Sequence, residues 1–436
     1  MLIANARLAD GRTVDVRIEG ERIAAVGSLG GEADVDAAGK LLLPGAIDAH
    51  VHLREPGFPH KETWETGSKS AAAGGVTTVV DQPNTDPPTT DGAAFDAKAE
   101  LARKSLVDYG INGGVTGEWK PDELFSRPIF ALGEVFLADS TGEMGIDAEL
   151  FERAVERAAR EGVVVTVHAE DATLFDREAL EAAGEGVGRD ADADAWSAYR
   201  SAAAEVAAVE RACEVGADSA AAVHIAHTST PEGIDAAAAA GATCEVCPHH
   251  LFLSRGDLDD LGTFGRMNPP LRSEERREAV AERVRDGTVD IVATDHAPHT
   301  HEEKEAGIRE APSGVPGVET MVPLLLAAAE RGELTRERVR DLTATNPARV
   351  FDLPRKGEVR EGMDADLALY DPERVETIRG QDLHSKAGWT PFEGFEGVFP
   401  ELTLVRGAVV YQRDADDDGA GESEAFGEPA GRNVRG

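Results

Sequence analysis

The sequence predicts an α/β protein: a (β/α)8 barrel of the TIM type with a small β-sandwich domain built from both chain ends. Three observations carry this reading. Eight short apolar runs alternate with helix-length segments, the pattern of a parallel sheet wrapped by helices. Shorter alternating runs broken by turn signals occupy both ends of the chain. Ionisable residues gather where the apolar runs stop, and the C-terminal strand ends of such a barrel are where its chemistry sits.

At the N-terminal end, LIANARLADGRTVDVRIEGERIAAVG and DAAGKLLLPG read as small antiparallel strands, and GEVREGMDADLALYD and ELTLVRGAVVYQ repeat that texture near the other end. Residues 1–45 plus 350–413 are therefore expected to form the small domain, and 46–349 the barrel. The eight barrel runs are 46–53, 76–82, 111–116, 129–136, 163–169, 221–228, 242–247 and 289–295. Residues 414–436 are acidic and Gly-rich, which predicts a disordered tail. The stretch AAGEGVGRDADADAW at 182–196 reads as a mobile insertion.

Composition narrows the function. Over 436 residues, 44 Lys plus Arg face 82 Asp plus Glu, a net charge of -38 that excludes a general nucleic-acid or anionic-membrane surface. An anionic substrate must find a local basic pocket. Only 9 of the basic residues are Lys, and acidic residues crowd the predicted helix surfaces. Such self-repulsion is tolerable in concentrated salt, where the Debye length falls to about 3 Å at 1 M. A salt-adapted cytoplasmic protein is the expectation. Three cysteines are too few for a disulfide framework, and the CxxC at Cys244 and Cys247 has no second pair, so both read as buried thiols. No 18-residue apolar run is present.

The run AIDAHVHLREPG at 46–57 sets His50 and His52 on one strand face. Two imidazoles on a rigid strand are half a metal site. Candidate partners close other runs: Glu134 in the fourth, His168 in the fifth, His227 in the sixth and Asp295 in the eighth. Nitrogen and oxygen donors favour zinc, with manganese or cobalt as substitutes. With Glu134 included the site can hold two ions that share a water or hydroxide, and Asp295 can bind metal and exchange a proton. His224 and His227 are three residues apart and so face opposite ways; His227, nearer the strand end, is the expected ligand. His249 and His250 read as loop-ordering residues, and His60, His301 and His384 as solvated.

The run PGAIDAHVHLREPG closely resembles the first-strand signature of the cyclic amidohydrolases, in particular their dihydroorotase branch. Further blocks resemble the same family in order: DQPNTDPP, VTVHAED, HIAHTSTPEG, CEVCPHHLFL, RMNPPLR, ATDHAPHTHEEK, VPGVET, TNPARVFDL, KGEVREGMDADLALYD and HSKAGWTPFEGFEG, together covering about 40–411. The resemblance implies reversible ring closure of N-carbamoyl-L-aspartate to L-dihydroorotate and water, a step of pyrimidine synthesis, on one or two zinc ions. It further implies that Arg54 pairs with the substrate carboxylate together with Asn84 and His299. Asn268 and the backbone near Pro316 and Gly317 would then contact the ring. One departure stands out: many relatives carry a carboxylated lysine late in the fourth strand, where GEVFLADSTG places Glu134. A glutamate offers a permanent carboxylate; Asp139, from the following loop, is the alternative. An allantoinase, a dihydropyrimidinase-type enzyme and a non-catalytic partner of aspartate transcarbamoylase are the competing readings. A salt-adapted archaeal source, a homo-oligomer and association with aspartate transcarbamoylase complete the expectations.

Overall fold

The computed structural model describes residues 1–140, 144–415 and 422–436. Eight parallel strands occupy the middle of the chain: Ala46–Val51, Val76–Asp81, Asp108–Ile111, Leu132–Phe136, Val165–His168, Val223–Ile225, Thr243–Val246 and Ile291–Val292. They pair as an arc of three and an arc of five. Parallel bridges Gly113↔Leu132 and Val51↔His296 join the arcs at both seams and close the ring, with Gly133 N–H donating to the Gly113 carbonyl at 2.7 Å and His52 N–H to that of His296 at 2.8 Å. Each strand falls within or beside one apolar run. The third begins earlier than its run, because Asp108–Ile111 pairs with Thr78–Asp81 and the following Asn-Gly-Gly segment serves the seam.

The helices outside the ring form for local reasons. In Ala148–Glu161, Leu150, Phe151, Ala154, Val155 and Ala158 make one buried stripe at helical spacing. Asp147 caps its start by accepting from Leu150 N–H, and Gly162, at φ 68°, ends it. The polar face carries Glu149–Arg153 and Arg157–Glu161 pairs, in keeping with an acidic, Arg-rich surface.

Both chain ends build one β-domain: its nine strands are linked in one hydrogen-bonded sheet, and the last strand of its path, Arg22–Gly27, curls back to the segment before Leu367–Tyr370, with Ile23 N–H donating to the Met363 carbonyl at 3.0 Å and Ala365 N–H to the Glu21 carbonyl at 2.9 Å. Leu41–Pro44 pairs antiparallel with Leu367–Tyr370, which pairs with Pro400–Val405. Side-chain alternation gives these central strands two buried faces. Leu42, Leu367 and Leu369 pack with Ile3, Val16 and Leu404 on one face, while Leu41, Leu43, Ala368 and Tyr370 join the barrel's own core on the other. The barrel covers one face of the domain, and the domain's own apolar core lies on the other.

Two segments expected to be disordered or mobile are ordered. Glu422–Phe426 pairs with the strand Ala408–Ala415, and the Phe426 ring lies 5.3 Å from Tyr411 and 4.8 Å from His384. Beyond it Arg432 pairs with Glu21 and its carbonyl accepts from Tyr109 N–H. Of the tail, residues 416–421 lie outside the described residues. Within 182–196, Gly188–Asp190 packs against Gly262–Gly265, and the helix Ala193–Tyr199 starts on an Asp192 cap and buries Trp196. A single large aromatic or cation in a polar stretch anchors it, and average composition does not register that.

Candidate metal centre and substrate pocket

The ionisable residues at the strand ends converge on one buried cluster. Glu134 lies at its middle, with Oε1 accepting from His227 Nε2 at 2.5 Å and standing 2.9 Å from His168 Nδ1. Its Oε2 is 3.3 Å from His50 Nε2. On the other side of His50, Asp295 Oδ1 lies 3.5 Å from His50 Nε2 and 2.9 Å from His52 Nε2. His50 thus stands between two carboxylates. Donor atoms of His50, His52 and Asp295, and of His50, Glu134 and His227, each fall within 4.8 Å of one another.

The backbone is shaped for this convergence. Arg54, His227 and Asp295 adopt φ of 66°, 32° and 47°, a left-handed region costly for non-glycine residues and concentrated at functional sites. Gly133, just before Glu134, has φ 142°, and a Cβ there would lie 2.1 Å from Thr166 Oγ1. Only glycine lets the fourth strand approach the fifth closely enough to deliver Glu134. Asp139, the alternative carboxylate, is engaged elsewhere in this structure: its Oδ1 accepts from Gly145 N–H at 2.7 Å and its carbonyl from Arg200.

The donor set fits a cation. His50 Nε2, which faces both Glu134 and Asp295, is buried without a hydrogen-bond partner among the described residues, a costly state that a metal ion at that nitrogen removes. Carboxylates also back the rings. Glu245 accepts from His50 Nδ1 at 2.6 Å and from His227 N–H at 3.2 Å, and reaches His224 Nε2 at 3.2 Å. Glu170, paired with Arg200, lies 2.9 Å from His168 Nε2. Such partners fix the tautomer and aim the opposite nitrogen at the centre. Burial alone would raise Glu134, but His50, His227 and His168 hold its carboxyl well below the ordinary range. Burial opposes charge on His168 too, yet Glu134 and Glu170 raise it to about 9. Sequence reasoning missed Glu245, Glu170 and Arg200; the signal was a charged residue inside an apolar strand, as in CEVC.

The cluster opens on a small, tight pocket that is also lined by Arg54, Asn84, Ser140, Asn268 and Ser313. Arg54 is 4% exposed; its Nε donates to the Pro298 carbonyl at 3.2 Å, and it pairs with no carboxylate among the described residues. Burial brings its guanidinium down to about 10, against the pull of Asp295 and Asp81. Asn84 Oδ1 accepts from His52 Nδ1 at 2.7 Å, while Asn268 accepts from Trp196 Nε1 and donates to Ser140 Oγ. His299, Pro316 and Gly317 stand behind the wall rather than in it. His299 donates from Nε2 to the Ser313 carbonyl, and burial with the nearby Arg54 cation keeps it well below its usual range. Gly317 N–H is taken by His296 Nδ1 at 3.1 Å.

Among the other histidines, His224 faces Phe351 and Thr243, away from the cluster. His60 and His301 are exposed. His384 is not solvated: it is half-buried between Glu319 and Glu424, because the ordered tail covers it.

A closed (β/α)8 barrel with histidines and carboxylates converging at its C-terminal strand ends defines the class, a metal-dependent hydrolase. The amidohydrolase family model matches residues 41–410, and the chain belongs to that family. The dihydroorotase of Halobacterium salinarum is 65% identical over 437 residues, covering 100% of this chain and 99% of that one. The dihydroorotase of Methanosarcina mazei is 47% identical, covering 87% and 86%. Among solved structures, the L-hydantoinase (dihydropyrimidinase) of Arthrobacter aurescens superposes with a TM-score of 0.91 at 27% identity, covering 99% of this chain and 98% of that one.

Proposed function

We infer that this chain is a dihydroorotase, interconverting N-carbamoyl-L-aspartate and L-dihydroorotate. The observation that carries the choice among cyclic-amide hydrolases is Arg54: a buried guanidinium without an acidic partner among the described residues, opening on the same pocket as the metal cluster. A substrate carboxylate supplies the missing charge through paired, charge-assisted bonds. Dihydrouracil and other uncharged rings do not. The full-length similarity to archaeal dihydroorotases supports the same reading.

We assign zinc to the cluster, one or two ions per subunit with two favoured: His50, His52 and Asp295 would hold one, His168 and His227 the other, and Glu134 would offer its carboxylate to both. Bound there, the ions would polarise the ring carbonyl and supply an acidified water as nucleophile. The chain's own residues do the rest. Arg54 fixes the substrate carboxylate, and Asn84, which also holds the His52 ring, offers its amide to the same group. Asn268 orients the ring from the opposite wall. His299 and the Pro316–Gly317 backbone support the wall from behind. In the hydrolytic direction water oxygen bonds to the ring carbonyl carbon and the ring C–N bond breaks; Asp295 takes the water's proton and returns it to the departing nitrogen. Ring closure runs the same steps in reverse.

The acidic surface supports action in a salt-rich cytoplasm, and the family resemblance supports a homo-oligomer and association with aspartate transcarbamoylase. The test is a substrate panel on purified protein in concentrated potassium chloride. Turnover of L-dihydroorotate, with little on dihydrouracil, hydantoin or allantoin, is the expected result; turnover of one of those and not of dihydroorotate overturns the assignment.

A further inference from the structure

The CxxC at Cys244 and Cys247 does not act as a pair. Three residues apart along a strand direction, the two thiols face opposite ways, and both are free. Cys247 instead follows the seventh barrel strand and stands at the cap position of the short helix Pro248–Phe252, which carries His249 and His250. One donor atom from each of the three lies within 4.8 Å of the other two. All three side chains are buried, at 0%, 2% and 3% exposure. His250 Nε2 donates to the Pro269 carbonyl at 3.0 Å, which fixes the tautomer and leaves Nδ1 with its lone pair. Neither that Nδ1 nor His249 Nε2 has a hydrogen-bond partner among the described residues. Two unpartnered imidazole nitrogens beside a buried thiol are expensive, and loop-ordering accounts for only one of the four ring nitrogens.

We propose that Cys247, His249 and His250 form a further metal site, distinct from the Glu134 centre and sharing no ligand with it, that takes one zinc-type cation. A thiolate with two neutral imidazoles suits zinc and cobalt(II), and three protein donors leave one tetrahedral position for water. Pro248 at the first helical position holds the turn from which both imidazoles project. Burial, and behind it the carboxylates of Asp295, Glu245 and Asp48, keep the thiol protonated until a cation replaces the proton. The same negative surroundings attract that cation. Binding exchanges the Sγ–H bond for an Sγ–metal bond and releases one proton to solvent.

Cobalt(II) titration of metal-stripped protein tests this directly, because the Glu134 centre contains no sulfur. The expected result is a thiolate-to-cobalt charge-transfer band in the near ultraviolet that saturates with one equivalent beyond those filling the Glu134 centre. Cys247→Ser should lose that band and one equivalent of bound zinc while keeping its hydrolase activity. Absence of the band from the unaltered protein at saturating cobalt(II), which needs no variant to fold, overturns the proposal, as does equal zinc content in protein and variant.

Discussion

Replacing Arg54 by Met separates what the guanidinium does for the substrate from what it does to the fold. The side chain is 4% exposed and burial brings its guanidinium down from the ordinary arginine range to about 10. A base depressed in the folded state destabilises that state at every pH below its folded value; here the difference corresponds to about 3 kcal/mol at neutral pH. Methionine retains the aliphatic volume and the same left-handed backbone and forfeits the bond to the Pro298 carbonyl, which returns about 1 kcal/mol. R54M should therefore be more stable than the parent by about 2 kcal/mol, read from urea midpoints at unchanged slope. Against dihydroorotate the variant loses two charge-assisted bonds of about 1.5–3 kcal/mol each, a fall of roughly 10²–10⁴ in kcat/KM. Any residual rate on dihydrouracil, which has no carboxylate, should stay level. Equal losses on both substrates would refute the carboxylate-reading role, and a destabilised R54M would refute the picture of an uncompensated buried charge.

Three further outcomes follow from the same structure. Glu134→Gln should lower metal retained after dialysis by at least about 10–100-fold, with activity falling in step, whereas Asp139→Asn should change neither; elemental analysis and the dihydroorotate assay decide. His384 is raised from 6.5 to about 10, since Glu319 and Glu424 outweigh its burial; its contribution to stability is complete below 6.5 and is lost as pH climbs toward 10, so His384→Gln should flatten the fall in urea midpoint over that window. Thermal midpoints should rise on moving from about 0.1 M to multimolar potassium chloride, as screening relieves the surface carboxylates, and an unchanged midpoint would count against salt adaptation.

Much of the fold was legible because period and position carry it. Each apolar run marks a strand, and strand parity separated His227 from His224 without reference to distance. The barrel seams were not legible, since they rest on backbone bridges at Gly113 and His296 that have no side-chain signature. Sequence alternation showed that Leu41–Pro44 has two buried faces without showing what buries them; on the Leu41 and Leu43 side it is the barrel, on the Leu42 side the small domain's own core. The tail and the 182–196 segment were misread for a shared reason. Phe426, Arg432 and Trp196 each fasten a polar stretch through one specific contact, and an average over the stretch hides it. At the site, the candidate donors were readable as residue types at strand ends, whereas the carboxylates behind them, Glu245 and Glu170, declare themselves only through their distances to His50 and His168.

The central claim is that Glu134 joins the two halves of a metal centre at the mouth of this barrel. Anomalous scattering recorded on either side of the zinc edge from crystals of the purified enzyme tests it most directly. Two peaks are predicted, one bounded by His50, His52 and Asp295 and the other by His168 and His227, with a Glu134 oxygen bound to each ion. A centre whose ions are bridged by Asp139 or by water alone, with the Glu134 carboxylate turned away, would contradict it.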